Sequence, residues 1–314
     1  MKKKLAILLA VLLFCSTLTP ALAGFRLSRV YSACVFQDVL YYLQDEKIWL
    51  RKTHLDPEEL FIDLAEWPQI PEGQKKNVYL LSDQNALYLL YRWDGMLYNI
   101  TNGDLQEVVK LDFDGLGIES ERVGYDVNFV HERIADGYFY ALFWEPVNYS
   151  YVTLYRFSLK DGHQEKLGEP NTLRCVIPYK DGKLLIRDSR RRDVYLFDSA
   201  TGEIGESLFK LPKGNCGSLV YDDEKDTIYY LYDRIFEDKE TGLTYTLRQP
   251  YLMEVGKEDV LLDYGPYAAG VTDSYASMWN DMYFILADGQ LYVCSPSSYF
   301  TTSVTLPEPV TAPE

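Results

Sequence analysis

Histidine is scarce in this chain. There are three, His54, His131 and His163, and no two share the spacing of metal ligands on one strand. None of the five cysteines falls in a C-x-x-C pair, which argues against a zinc ribbon or a thiol redox motif. The sequence has no G-x-S-x-G elbow, no Walker A loop and no G-x-G-x-x-G following a strand, so the motif-borne hydrolase, nucleotide and dinucleotide chemistries have no signature here. No cofactor is expected. Basic residues are the minority, 31 against 47 acidic, and the formal charge of −16 repels nucleic acid and anionic membrane. Past the first 23 residues no apolar run approaches membrane length, and no capped amphipathic helical stretch stands out.

The amino terminus reads as an export signal. Lys2, Lys3 and Lys4 precede an apolar run from Leu5 to Phe14, and Ala21-Leu22-Ala23 supplies a small-residue cleavage site before Gly24. Cys15 follows Phe14 rather than a small residue, which argues against a lipid anchor. Removing residues 1–23 deletes three lysines and takes the formal charge from −16 to −19. The expected organisation is a signal peptide at 1–23, a folded body at 24–306 and a tail at 307–314 that carries Pro307, Pro309 and Pro313. Cys34, Cys175, Cys216 and Cys294 remain, and either disulfides or buried thiols fit an exported chain. Cys175 and Cys216 fall at matching places in neighbouring repeats.

Aromatics are abundant, with 27 tyrosines, and they recur in order. Six times an apolar run, a turn, a run built around Leu-Tyr or an analogue, a second turn and a third run follow one another. The clearest copies are Ala86–Leu111, Lys183–Leu211 and Met282–Cys294. The runs are short, rich in β-branched and aromatic residues, and bounded by Gly, Asp and Asn, which favours strands. Second strands are predicted at Val39–Leu43, Ala86–Tyr91, Gly137–Phe143, Lys183–Arg187, Thr227–Tyr232 and Asp281–Leu286. A large side chain marks each third strand: Trp49, Tyr98, Tyr155, Tyr195, Met253 and Tyr292. Asp94-Gly95 and Asp288-Gly289 join second to third strands; Asn102-Gly103, Asp161-Gly162 and Thr201-Gly202 join third to fourth. The last fourth strand is predicted at Thr301–Leu306. Marker spacings of 49, 57, 40, 58 and 39 residues match a four-stranded blade of about 40 residues with inserts. An all-β single β-propeller is predicted, most simply with six four-stranded blades; seven blades or an open stack of sheets is the alternative.

Strands in a blade alternate in direction, so second-to-third turns and blade-to-blade crossings open on one rim. Inserted loops are predicted there at Trp144–Tyr151 and Arg234–Pro250, with long crossings at Ala65–Gln74, Asp112–Tyr125 and Gly265–Tyr275. They offer Trp67, Trp144, Tyr149, Tyr151, Tyr245, Tyr267 and Tyr275 as anchors for a ligand, or as rings tucked under their own loops. Arg191, within Arg190-Arg191-Arg192, adds a basic spot suited to a carboxylate or phosphate, or to its flanking Asp188 and Asp193. Asp112-Phe113-Asp114-Gly115 has the start of a calcium loop, but position twelve is Val123 rather than Glu, so a polar crossing is expected and no metal.

The Leu-Tyr repeats, outlined by Leu97-Tyr98, Leu154-Tyr155 and Leu291-Tyr292, resemble secreted bacterial β-propellers of the TolB-like and YWTD-like kinds. The export signal, acidic Tyr-rich repeats and Pro-rich end also look like propellers that precede a solute-binding domain in some Gram-positive bacteria. That resemblance implies a place beside surface transport machinery for sugar or peptide uptake. Three functions are weighed: a non-catalytic extracytoplasmic binder of a protein, peptide or glycan; a glycan hydrolase or lyase using carboxylates at the channel mouth; and an accessory of a surface uptake system.

Overall fold

The computed structural model describes residues 26–28, 30–53, 55–116, 133–145, 148–188, 192–211, 215–237, 244–254, 260–261, 283–287, 290–295 and 300–305. Regular structure there consists of strands and four short 3-10 turns, with no α-helix among the described residues. After β1 (Arg26–Ser28), blade one contains β2 (Val30–Phe36), β3 (Val39–Gln44), β4 (Lys47–Arg51) and β5 (Glu59–Asp63). Blade two contains β6 (Val78–Ser82), β7 (Leu87–Tyr91), β8 (Met96–Asn99) and β9 (Gln106–Lys110). Blade three contains β10 (Arg133–Ala135), β11 (Tyr138–Glu145), β12 (Asn148–Ser158) and β13 (Gln164–Leu167). Blade four contains β14 (Leu173–Pro178), β15 (Leu184–Asp188), β16 (Asp193–Phe197) and β17 (Ile204–Lys210). Blade five contains β18 (Asn215–Asp222), β19 (Thr227–Glu237), β20 (Thr244–Glu254) and β21 (Val260–Leu261). The last sheet joins β22 (Tyr283–Ala287), β23 (Gln290–Ser295) and β24 (Phe300–Thr305) to β1.

Each of the first five blades is an antiparallel meander in sequence order. Their first strands touch in succession, β2 to β6, β10, β14 and β18; β18 then touches β22, and β22 returns to β2. The fold is therefore a β-propeller. One expectation needs correction. Thr301–Leu306 was predicted to end its sheet on the outside, but β1 covers β24, with Arg26 opposite Thr302 and Ser28 opposite Phe300; each strand of this sheet therefore sits one place further in than predicted, Asp281–Leu286 supplying the innermost strand β22 and the marker Tyr292 lying on the second strand β23. The first repeat thus begins only at β2, and a three-residue strand ahead of it ties the two ends of the sequence together. Three residues are too few to carry a period that a pattern search finds.

The second strands are apolar throughout because both of their faces are covered. In β7, Leu87, Leu89 and Tyr91 pack toward blade one, while Tyr88 and Leu90 pack toward blade three. In β11, Phe139, Ala141 and Phe143 pack toward blade two, and Tyr140 and Leu142 toward blade four. The core is a set of seams between adjacent blades, each seam taking every other residue of a second strand. Burying one such large side chain contributes about 1.5–3 kcal/mol. Outer strands lack a second cover. In β17 only Phe209 is even half-buried.

Sheet twist turns the outer strands across the blade, so the third-to-fourth turn of one blade reaches the outer strand of the blade before it. A Cβ on Gly103 would stand 3.9 Å from Phe61, and one on Gly162 would overlap the Lys110 carbonyl. Between blades three and four the link is a buried arginine. Arg156 donates to Glu165 (Nη2 at 2.6 Å and Nε at 2.8 Å), lies 4.6 Å from the Tyr138 ring centroid, and donates to the Ser199 carbonyl of blade four.

Candidate ligand-binding rim

The two predicted inserts are not loops. β11 continues to Glu145 and β12 starts at Asn148, with Trp144 opposite Val152 and Glu145 opposite Asn148; the register shift places Tyr149, Ser150 and Tyr151 in a bulge. β19 pairs with β20 without interruption from Thr227↔Glu254 to Glu237↔Thr244, which sets Phe236 opposite Tyr245. The expectation failed because inserts were read from spacing alone. The alternating β-branched and aromatic residues of Arg234–Glu237 and Thr244–Gln249 already carried a strand signal. Among the described residues β18 pairs with β19 no further than Asp233, and the β19–β20 pairing runs four pairs beyond it, about 13 Å at 3.3 Å per residue.

Both hairpins are second-to-third connections, so they stand on one rim, on either side of blade four. Blade-to-blade crossings leave the outer strands on that side, where Leu211 N–H donates to the Arg192 carbonyl (2.9 Å) and Leu111 N–H to the Gly95 carbonyl (2.9 Å). The sorting is not complete. Asp112 N–H donates 3.0 Å to the carbonyl of Gly162, a third-to-fourth turn of the next blade, so the Asp112–Tyr125 crossing starts against a turn from the other rim. This corrects the expectation that strand alternation alone sorts every connection.

That crossing is also not simply polar. Phe113 is buried, with its ring 5.6 Å from Phe143 and 5.4 Å from Phe157. Asp112 caps the short turn that follows by accepting the Gly115 N–H at 2.9 Å. Asp112 and Asp114 form no cluster that could hold a metal, and none occurs among the described residues.

Trp67 is half-buried and packs on the seam between blades one and two. It closes the 3-10 turn Leu64–Glu66, donating its N–H to the Leu64 carbonyl (3.1 Å). Asp63 starts that turn; the Ala65 N–H and then the Lys47 ammonium hold its carboxyl below the ordinary range. Trp144, Tyr149, Tyr151 and Tyr245 are placed by backbone only, on the two hairpins, and Arg191, Tyr267 and Tyr275 lie outside the described residues, as does Asp288-Gly289. Of the cysteines, Cys34 is buried in β2, while Cys175 and Cys216 lie on β14 and β18, neighbouring first strands as expected.

Three rim residues escaped the sequence reading. In the second-to-third turn of blade two, Arg92 donates 3.0 Å to Tyr79 Oη on inner strand β6, with its guanidinium 5.7 Å from that ring. Trp93 beside it is half-buried against the same seam as Trp67. Arg187 is buried at the rim end of β15, 8% exposed. The available signal was an arginine closing an otherwise apolar second strand, Leu184-Leu185-Ile186-Arg187, where the chain is about to leave the core.

No protein-family model matches the chain, and no curated protein matches it. Solved structures do. Virginiamycin B lyase from Staphylococcus aureus superposes with a TM-score of 0.50 at 12% identity, over 90% of this chain and 98% of that one. A luciferin-regenerating enzyme gives 0.47 at 12% identity, over 90% and 92%. PorZ, a surface component of the type-IX secretion system of Porphyromonas gingivalis, gives 0.45 at 9% identity, over 92% of this chain and 40% of its own. At such identities the likeness is one of fold.

Proposed function

We propose that the protein is an extracytoplasmic, non-catalytic propeller that holds a protein, peptide or glycan on the rim of its second-to-third connections. One observation carries the reading. Two strand pairs, β11–β12 and β19–β20, outgrow their blades, and both do so on this rim, on either side of blade four. A lone two-stranded ribbon is marginal in water, so a partner surface is the natural reason for such length. The Lys-rich, apolar, Ala-x-Ala amino terminus supports export, and the resemblance to propellers that precede solute-binding domains supports a place beside sugar or peptide uptake. No helix among the described residues is long and apolar enough to cross a membrane.

A glycan and peptide array probed with the purified protein supplies the ligand. Trp144→Ala with Tyr149→Ala then abolishes retention while the unfolding transition stays in place; undiminished retention overturns the site. Turnover of a retained polysaccharide, followed by reducing-end release, overturns the non-catalytic part and favours a hydrolase or lyase. Amino-terminal sequencing of the exported protein is expected to begin at Gly24.

A further inference from the structure

Two of the cysteines fall where blades four and five face each other. In the register of β14 with β15, Leu173 stands opposite Asp188 and Val176 opposite Ile186, so Arg174 and Cys175 share the place opposite Arg187. Residues opposite one another in a ladder belong to the same face of the sheet, and so do residues two apart along a strand. Arg187 is two residues from Leu185, which packs in the seam with Leu219, Ile228 and Tyr230 of blade five. Cys175 is therefore on the face of blade four that meets blade five. Cys216 stands opposite Tyr232, two residues from Tyr230, which packs in the same seam from the other side. Cys216 is therefore on the face of blade five that meets blade four.

Their heights in the seam agree as well. β14 and β18 touch, and near the rim of the first-to-second turns Tyr179 and Tyr221 meet across the seam with ring centroids 4.5 Å apart. Tyr179 N–H donates to the Lys183 carbonyl (2.8 Å), and Tyr221 stands opposite Ile228. Arg187 is four residues beyond Lys183, and Tyr232 is four beyond Ile228. Each first strand carries one extra residue in a bulge on the way, between Leu173 and Val176 in β14 and between Cys216 and Leu219 in β18. From one pair of touching rings, both strands thus reach their cysteines after the same number of ladder steps. Cys34 belongs to a different seam, between blades one and two, and so faces away from the last sheet, which holds Cys294 on β23.

We infer that Cys175 and Cys216 are joined by a disulfide that ties the inner strands of blades four and five together. As the Sγ–Sγ bond forms, the two thiols give up two protons and two electrons, and a disulfide oxidant outside the cytoplasm is reduced to its dithiol. The bond closes a long loop of the unfolded chain and so favours the folded ring. It stands beside Asp233, the last residue of β19 that β18 pairs, and fixes the base from which the β19–β20 pairing runs on. The inference rests on the export reading for its oxidant and on strand register for its partners.

The full chain, exported and purified without reductant, is denatured in N-ethylmaleimide and digested with trypsin. Mass spectrometry should find the fragment Cys175–Lys180 joined to Gly214–Lys225, with Cys34 labelled. Dithiothreitol should separate the two fragments and lower the melting midpoint of the parent by about 5–10 °C, while the midpoint of Cys175→Ser stays in place. Cys216→Ser supplies the same comparison should Cys175→Ser misfold. Where the exported chain has both cysteines labelled, the folded protein is incubated with glutathione disulfide before labelling. The joined fragments then uphold the pairing and count against the oxidising location alone. Both cysteines labelled even after that treatment, or either one joined to Cys34 or Cys294, overturns the inference.

Discussion

The two rims of this propeller are built by opposite rules. One is made of short turns, several pinned by an aspartate and several pressed against the neighbouring blade. The other carries strand pairs whose pairing runs past that of their described neighbours. Asp198 shows the first rule: it accepts the N–H groups of Ala200 (2.8 Å) and Thr201 (3.1 Å), while the Ser199 between them accepts Arg156 from blade three. The β19–β20 ribbon shows the second, with pairing that continues four residues beyond the reach of β18. The difference teaches that stability and recognition are segregated. Turns that lock blades together have no freedom to vary, whereas extensions can change without unfolding the ring.

The comparison is broken most severely at a hairpin-side crossing that is anchored in the core. Phe113→Ala removes a ring wedged between Phe143 and Phe157, and a loss of about 3–5 kcal/mol in unfolding free energy is expected by denaturant titration. On the locked rim, Gly162→Ala adds a methyl group into the Lys110 carbonyl at a φ of 75°. It should cost about 1–3 kcal/mol and separate blade two from blade three in hydrogen exchange. Asp198→Ala strips two backbone donors of their acceptor and should cost about 1 kcal/mol, read as a lowered melting midpoint. The smallest effect sharpens the contrast through pH. Burial, then the Asp83 carboxylate 3.2 Å away, pushes the Tyr88 phenol up to about 12. The unfolded phenol ionises near 10.0, so the unfolded chain sheds its proton first as pH rises. The stability contributed by Tyr88 is therefore whole below pH 10 and is lost as pH climbs toward about 12. Tyr88→Phe should flatten that alkaline decline in urea titrations, and an equally steep decline would show that other groups cause it.

Much of this was legible in the chain. The second strands were readable because both faces are buried, so β7 appears as an unbroken apolar run and β15 as an apolar triplet before Arg187, rather than as alternating patterns. The turns were readable because Gly95, Gly103, Gly162 and Gly202 occupy the left-handed backbone that their Asp-Gly, Asn-Gly and Thr-Gly pairs announce. The rim was legible only as a direction. Strand parity put the inserts on one side, yet spacing alone mistook hairpins for loops. The arginines were legible in part. Arg190-Arg191-Arg192 stood out as a run, while Arg92 and Arg187, each a single residue at the end of an apolar strand, did not.

By itself, the sequence determined the repeat, the strand order within the first five blades and most of the turns, because these depend on residues near one another along the chain and on a period of two. Tertiary structure alone decided that Arg26–Ser28 pairs with the far end of the chain, that twist brings the third-to-fourth turns of blades two, three and four onto the preceding blade, and that Arg156 ties two blades together. Those contacts join residues up to 276 positions apart, as in the pairing of Arg26 with Thr302. They arise from how twisted sheets pack around an axis, and no local pattern encodes that.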